Sequence, residues 1–304
     1  MAAGLLTGLV AMAGATQAQA QPLQPDGQWE VNFGERACVA ARKFRDADED
    51  AVTVFFKPAA HLRSMEVVSI VDGYRRDAQG GKGSVQFAGQ RHDAKLIRYG
   101  DRESDSVVTR FTVPLRAEDL SEASEMVLDT EWDRLSMPLS RIDEVSGLLA
   151  DCVEKLRILY NVDGSGLTDG PRGGADGAKG DVRSLFRSTD YPSRSMRAGV
   201  GGMARAFLLI DEEGKAVDCS LSAYGGDPLI LAQTCAILLE RARFEPATDA
   251  NCFPTRGSYF TPTITWRMQG KGDTGQAEFD EMEAIYATPV DDLIDRSELT
   301  PLEE

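Results

Sequence analysis

Residues 203–245 read MARAFLLIDEEGKAVDCSLSAYGGDPLILAQTCAILLERARFE, and the fold is decided here. The apolar run 203–210 fits a strand, Asp211-Glu212-Glu213-Gly214 is turn chemistry, and 215–222 reads as a second strand, so the three together predict a hairpin. Asp227 before Pro228 places N-cap and first-turn residue types at the head of a helix running to about Arg241. Beyond Phe244-Glu245-Pro246, residues 259–268 alternate. Phe260, Pro262, Ile264, Trp266 and Met268 form one face of a last strand, and Tyr259, Thr261, Thr263, Thr265 and Arg267 the other. The order β-β-α-β predicts one helix on one face of a small antiparallel sheet across residues 184–268.

Upstream, residues 23–160 show a different rhythm. Period-two runs at 51–56, 65–71, 83–87, 94–99, 107–113 and 125–128 are separated by turn residues such as Asp77-Ala78-Gln79-Gly80-Gly81, which predicts an antiparallel sheet or small sandwich. Gly80-Gly81-Lys82-Gly83 lacks the spacing of a phosphate loop and is read as a hairpin turn. A helix closes this domain: Ser140 and Asp143 have capping-box spacing, and Ile142, Val145, Leu149, Cys152, Leu156 and Leu159 make a stripe that must face a core. The fold class expected is α+β, an N-terminal β-rich domain closed by a helix plus the small β-β-α-β domain.

Three further segments frame these two. Residues 1–20, MAAGLLTGLVAMAGATQAQA, end in Ala18-Gln19-Ala20 and read as a cleaved signal peptide, with a retained membrane anchor as the alternative. Residues 161–183 include seven glycines between Asn161 and Asp181. They are expected to be a flexible linker that lets the domains move independently. Residues 269–304 form an acidic tail, read as disordered. In the tail Phe279, Met282, Ile285 and Tyr286 have helical spacing, which leaves open a short docking helix.

Composition excludes several partners. A net charge of -16 repels nucleic acid, and with only His61 and His92 and no Cys-x-x-Cys pair no metal site is expected. No cofactor is expected either. Gly199-Val200-Gly201-Gly202-Met203-Ala204 matches a dinucleotide fingerprint in letters only, since a strand follows it where a helix is required, and it is read as a turn. The group His92, Asp93, Asp101, Glu103 and Asp105 reads as solvated loop charge, not acid–base machinery.

The cysteines read as staples. Cys219 shares a side of its strand with Val217 and Leu221, the side a following helix would cover, and Cys235 lies mid-helix, so a Cys219–Cys235 bridge is expected. Cys38 and Cys152 could tie together the ends of the first domain, leaving Cys252 over; free buried thiols are the alternative.

The motifs Tyr191-Pro192, Arg197-Ala198-Gly199 approaching Gly201-Gly202, the hairpin at 211–217, and Arg241-x-Arg243-Phe244-Glu245-Pro246 before the last strand resemble the C-terminal domain of TonB energy transducers. The likeness covers about residues 184–268, with Tyr191, Pro192, Gly199, Arg243, Phe244 and Pro246 as the matching residues. In that family the domain is periplasmic and captures a peptide of an outer-membrane transporter as an added strand. What the resemblance implies here is a periplasmic, non-catalytic protein- or peptide-binding module, accessory to outer-membrane transport. Its binding edge would be Tyr259, Phe260, Thr261, Thr263, Thr265 and Arg267. The expected partner is an envelope protein or extended peptide, such as an outer-membrane transporter. Two departures bear on this: the 13 prolines form no Pro-rich spacer, and Ser188-Thr189-Asp190 replaces the family's glutamine-bearing stretch. A membrane-anchored transducer, should residues 1–20 be retained, and an enzyme with a site in the first domain are the alternative functions.

Overall fold

Strands with alternating apolar side chains must find neighbours on both borders, and in the first part of the chain nearly all of them do. The structure is a computed structural model that describes residues 21–73, 77–101, 104–162, 177–249, 251–268 and 275–280. The expected signal peptide, most of the linker and residues 281–304 lie outside the described residues.

The first unit runs β1 (Gln21–Pro22), β2 (Gln24–Pro25), β3 (Glu30–Phe33), β4 (Cys38–Arg45), β5 (Ala51–Pro58), β6 (Met65–Asp72), β7 (Gln79–Phe87), β8 (Gln90–Asp101), β9 (Ser106–Val113), β10 (Glu125–Thr130) and β11 (Arg134–Pro138). Helix α1 (Ile142–Leu159) follows. The long strands lie in the order β11-β10-β7-β8-β9-β6-β5-β4, every neighbouring pair antiparallel. The sheet is nearly closed. Its two end strands are bridged by the N-terminal segment: β1 runs parallel to β11, β2 pairs with β4, and between them the Leu23 N–H donates to Ser136 O at 2.7 Å. Closure removes the exposed borders that an open sheet would present. Inward side chains such as Phe44, Phe56, Val67, Leu96, Phe111 and Met126 fill the interior, and α1 adds Val145, Leu149 and Leu156 to the same core.

The local differences from the sequence reading have plain causes. Helix α1 begins after Arg141, a left-handed residue with no side-chain cap, because Ser140 is engaged elsewhere: its Oγ accepts from Arg42 at 2.8 Å and its carbonyl from Trp29 Nε1 at 3.1 Å. The Ser140–Asp143 capping box is therefore absent. Leu159 ends the helix exposed instead of in the core. Residues 80–83 lie within β7, not in a turn. Glu131, Trp132 and Leu96 crowd the site where a side chain would stand at Gly81, and the Asp129 carbonyl and Leu96 crowd that at Gly83, which explains glycines in a strand. The true β7–β8 turn is Ala88-Gly89, both at positive φ (44° and 78°), as a two-residue hairpin requires.

The second unit contains α2 (Ser193–Ala198), β12 (Gly202–Ile210), β13 (Ala216–Gly226), α3 (Pro228–Arg241), β14 (Ala247–Thr248), β15 (Pro254–Thr255), β16 (Gly257–Phe260) and β17 (Ile264–Trp266). Asp227 caps α3 by accepting from the Leu229 N–H at 2.9 Å, with Pro228 in the first turn. The β12–β13 turn closes through the Asp211 carboxylate, which accepts from the Lys215 N–H, while Gly214 sits at φ 77°. β13 borders β12 on one side, and β16 and β17 follow each other along its other side. The fold class is α+β.

Strand β12 is apolar on both faces because both faces are covered. Ala206, Leu208 and Ile210 pack with α3, whereas Phe207 and Leu209 belong to the core of the barrel. Val217, expected beside Cys219, also packs on the barrel core, after a register shift between Leu209 and Ile210. His61 sets its ring edge on Phe207 at 5.6 Å, and the Tyr224 hydroxyl donates to Thr112 O at 3.0 Å. Arg256 bonds Glu35 of the first unit and Glu212 of the second. The two units share an apolar interface.

Candidate functional site

Two places combine accessible backbone or space with unusual side chains: the border formed by β16 and β17, and a cleft between α3 and the barrel.

The border is built by a break. Thr261, Pro262 and Thr263 separate β16 from β17, because proline cannot donate to a ladder. The neighbouring strand is satisfied another way: Thr261 donates its N–H to Ala206 O, and its Oγ accepts from the Ala206 N–H, both at 2.9 Å. Thr261 is accordingly 2% exposed. The break also reverses the alternation. Tyr259 before it, and Ile264 and Trp266 after it, share the α3 side, while Phe260 turns toward Phe207 with ring centroids 4.7 Å apart and stays 51% exposed. The single apolar face expected for 259–268 thus divides. Of the six expected edge residues, Phe260, Thr263, Thr265 and Arg267 are exposed, Tyr259 is half-buried against Phe244 at 4.9 Å, and Thr261 is inside.

The sheet has two outer borders, and they differ. Along β13, side chains of the barrel interpose: Lys57 pairs with Asp218, Ser64 Oγ donates to Leu221 O at 3.4 Å, and Tyr224 reaches Thr112. Burial opposes the charge on Lys57, but Asp218 and Glu66 outweigh it and hold its pKa above the ordinary value. Along β16 and β17, among the described residues, no further strand pairs. The outward main-chain groups of β16 and β17, those not turned toward β12, have no strand beside them among the described residues.

The residues that carry the resemblance noted in the sequence lie behind this border. The Tyr191 and Phe186 rings stand edge-on to Trp266 at 5.6 and 5.5 Å, and the Tyr191 hydroxyl donates to Val200 O at 2.6 Å. Pro192 precedes α2, and Gly199 ends it at φ 69°. Phe244 is buried beneath Gly180, where any side chain would strike its ring. Pro246 is half-buried beside it. Arg243 is exposed and donates to main-chain carbonyls of its own turn. Sequence reasoning missed the clamp just behind: Arg241 grips Asp190 through both carboxylate oxygens at 2.7 and 2.9 Å. Those bonds, with the Arg187 N–H, hold the Asp190 carboxyl at about 2.

The disulfides are Cys38–Cys152 and Cys219–Cys235, the two pairs expected, and Cys252 is free and exposed. Two bridges fit an oxidising compartment. No described helix is long and apolar enough to cross a membrane. His92 and Asp93 lie on β8, Asp101 ends it, Asp105 is in the turn after it, and Glu103 lies outside the described residues.

The cleft was not foreseen. It encloses about 300 Å³ between the outer side of α3 and the wall made by β5, β6, β8 and β9. Leu231, Ala232, Cys235, Ala236 and Leu239 face it from α3, opposite Lys57, Glu66, Lys95 and Arg110. Glu66 pairs with Arg110. At one end the chain returns. Residues 275–280 dock there, with Phe279 2% exposed beside Met203 and Ala223, and Glu278 on Lys95. This part of the acidic tail is therefore ordered against its own domain. A helical spacing around Phe279 was the one sign of it in the sequence.

No family model, no curated protein and no solved structure matches this chain.

Proposed function

We propose that the chain is a non-catalytic binding module of the cell envelope that takes an extended segment of another protein as an added strand beside β16 and β17. One observation carries this reading: of the two borders of the small sheet, β13 is bridged to the barrel by side chains, while β16 and β17 have no further strand beside them among the described residues. A visiting strand satisfies such groups and gains selectivity from alternate side chains, for which Phe260 supplies an exposed apolar contact and Thr263 and Thr265 a polar one. The resemblance to the TonB C-terminal domain supports the same mode of binding, and an outer-membrane transporter is the partner class it suggests. The two disulfides support export, with the N-terminal segment removed, to the periplasm.

Because the free border is short and interrupted at Pro262, affinity should be modest. Titrating the isotopically labelled protein with a peptide of the transporter-box type tests the proposal by NMR. Chemical-shift changes and intermolecular contacts confined to residues 257–267 are expected. Changes centred on β13, or no change at millimolar peptide, would refute it.

A further inference from the structure

Helix α3 is apolar almost all round, the pattern of a helix covered on every side. Its inner face, with Ile230, Ile237 and Leu238, packs on the small sheet. Its outer face fronts the cleft, where Ala236 is exposed and Leu239 half-buried. Across the gap stand charges, so an apolar wall opposes an ionic one.

The charges are not equivalent. Lys57 and Arg110 have partners fixed in the walls, Asp218 and Glu66. Lys95 takes its counter-ion from the returning C-terminal segment. Both Glu278 oxygens lie 2.8 Å from Lys95 Nζ, and the Gly226 N–H donates to one of them, also at 2.8 Å. Burial opposes this carboxylate, yet the Gly226 N–H and Lys95 hold its pKa below the ordinary value. The end of the cleft is thus already a seat for a carboxylate.

We propose that this cleft binds a single-chain amphiphile with a carboxylate head, the chain lying along the outer face of α3 and the head replacing Glu278 on Lys95 and the Gly226 N–H. A volume of about 300 Å³ suits such a molecule and is too narrow for an added helix or strand pair. Exchanging one carboxylate for another on the same donors is close to neutral, so burial of the chain on Leu231, Ala236 and Leu239 supplies the gain. The site is separate from the border of β16 and β17 and does not depend on that reading.

Calorimetric titration of the full chain with dodecanoate, below its micelle concentration, tests it. Saturable binding of one molecule is expected, with dodecyltrimethylammonium at least about tenfold weaker. Lys95→Ala should weaken dodecanoate about tenfold through the lost charge-assisted bond. Ala236→Glu, at an exposed position that leaves the fold intact by circular dichroism, should weaken it as much. Glu278→Gln should tighten it a few-fold by removing the internal competitor. Absence of saturable binding to the unsubstituted protein would overturn the proposal. So would equal binding of the two amphiphiles, or indifference to Ala236→Glu.

Discussion

The two units solve the same problem in opposite ways. In the first, the strands close on themselves, with residues 21–25 sealing β4 to β11, and a core from all of β4 to β11 fills the interior. In the second, the sheet is too small to close. One face is covered by α3, the other borrows the barrel, one border is bridged, and one has no strand beside it among the described residues. A closed sheet gains stability by having no edge, and a small open one keeps an edge that can act. On the function proposed above, the barrel would be the support and the outer border of its neighbour the working part.

This contrast can be broken most severely at the disulfides. The Cys38–Cys152 bridge closes a separation of 114 residues and Cys219–Cys235 one of 16. In the chain-entropy picture they contribute about 4.7 and about 3 kcal/mol. Denaturant unfolding of the two double-serine variants should rank them in that order. The reverse order would mean that the barrel closes firmly without its staple.

Next comes Phe207, which belongs to the second unit by sequence and to the barrel by packing. Phe207→Ala should cost about 3–5 kcal/mol and lower a single shared transition. Two separated transitions, with the barrel's unmoved, would show the units to be independent after all.

His61, beneath Phe207, sharpens the point by titration. Burial first, then the nearby Arg63 and Arg157, push its pKa down to about 3, and its Nδ1 has no hydrogen-bond partner among the described residues. The folded state therefore favours the neutral ring, while the unfolded chain takes up a proton below about 6.5. Stability is complete above that pH and falls as pH drops from about 6.5 toward 3. A flatter acid limb in His61→Gln, measured by thermal melting across this range, is the expected result.

The smallest effect is at Thr261. Thr261→Val keeps the shape but leaves the Ala206 N–H without its acceptor, a loss of about 1–3 kcal/mol that should fall on the second unit's border. Melting and backbone shifts of β12 report it.

Much of this is legible in the sequence. The hairpin, the Asp227–Pro228 start of α3, six barrel strands and the Cys219–Cys235 pair follow from local chemistry: alternation, turn residues and caps. Closure is not, because it depends on which distant strands meet, and no local period records that. β4 went unread although Cys38, Ala40 and Phe44 alternate, since small residues and arginines dilute the pattern. At the border, Pro262 signalled an edge correctly. The reversal it forces, with Thr261 inside and Phe260 out, follows from how a neighbouring N–H finds an acceptor, which only the paired strand reveals. The cleft stayed hidden because an all-apolar α3 looks like a core helix until its outer face is seen to lack a cover.

Hydrogen–deuterium exchange across the small sheet tests the central claim most directly. The outward amides of β16 and β17 should exchange fast while those of β13 are slow, and a bound transporter-box peptide should slow the former and leave the latter unchanged. Equal protection of both borders in the free protein, or peptide protection appearing on β13, would contradict it.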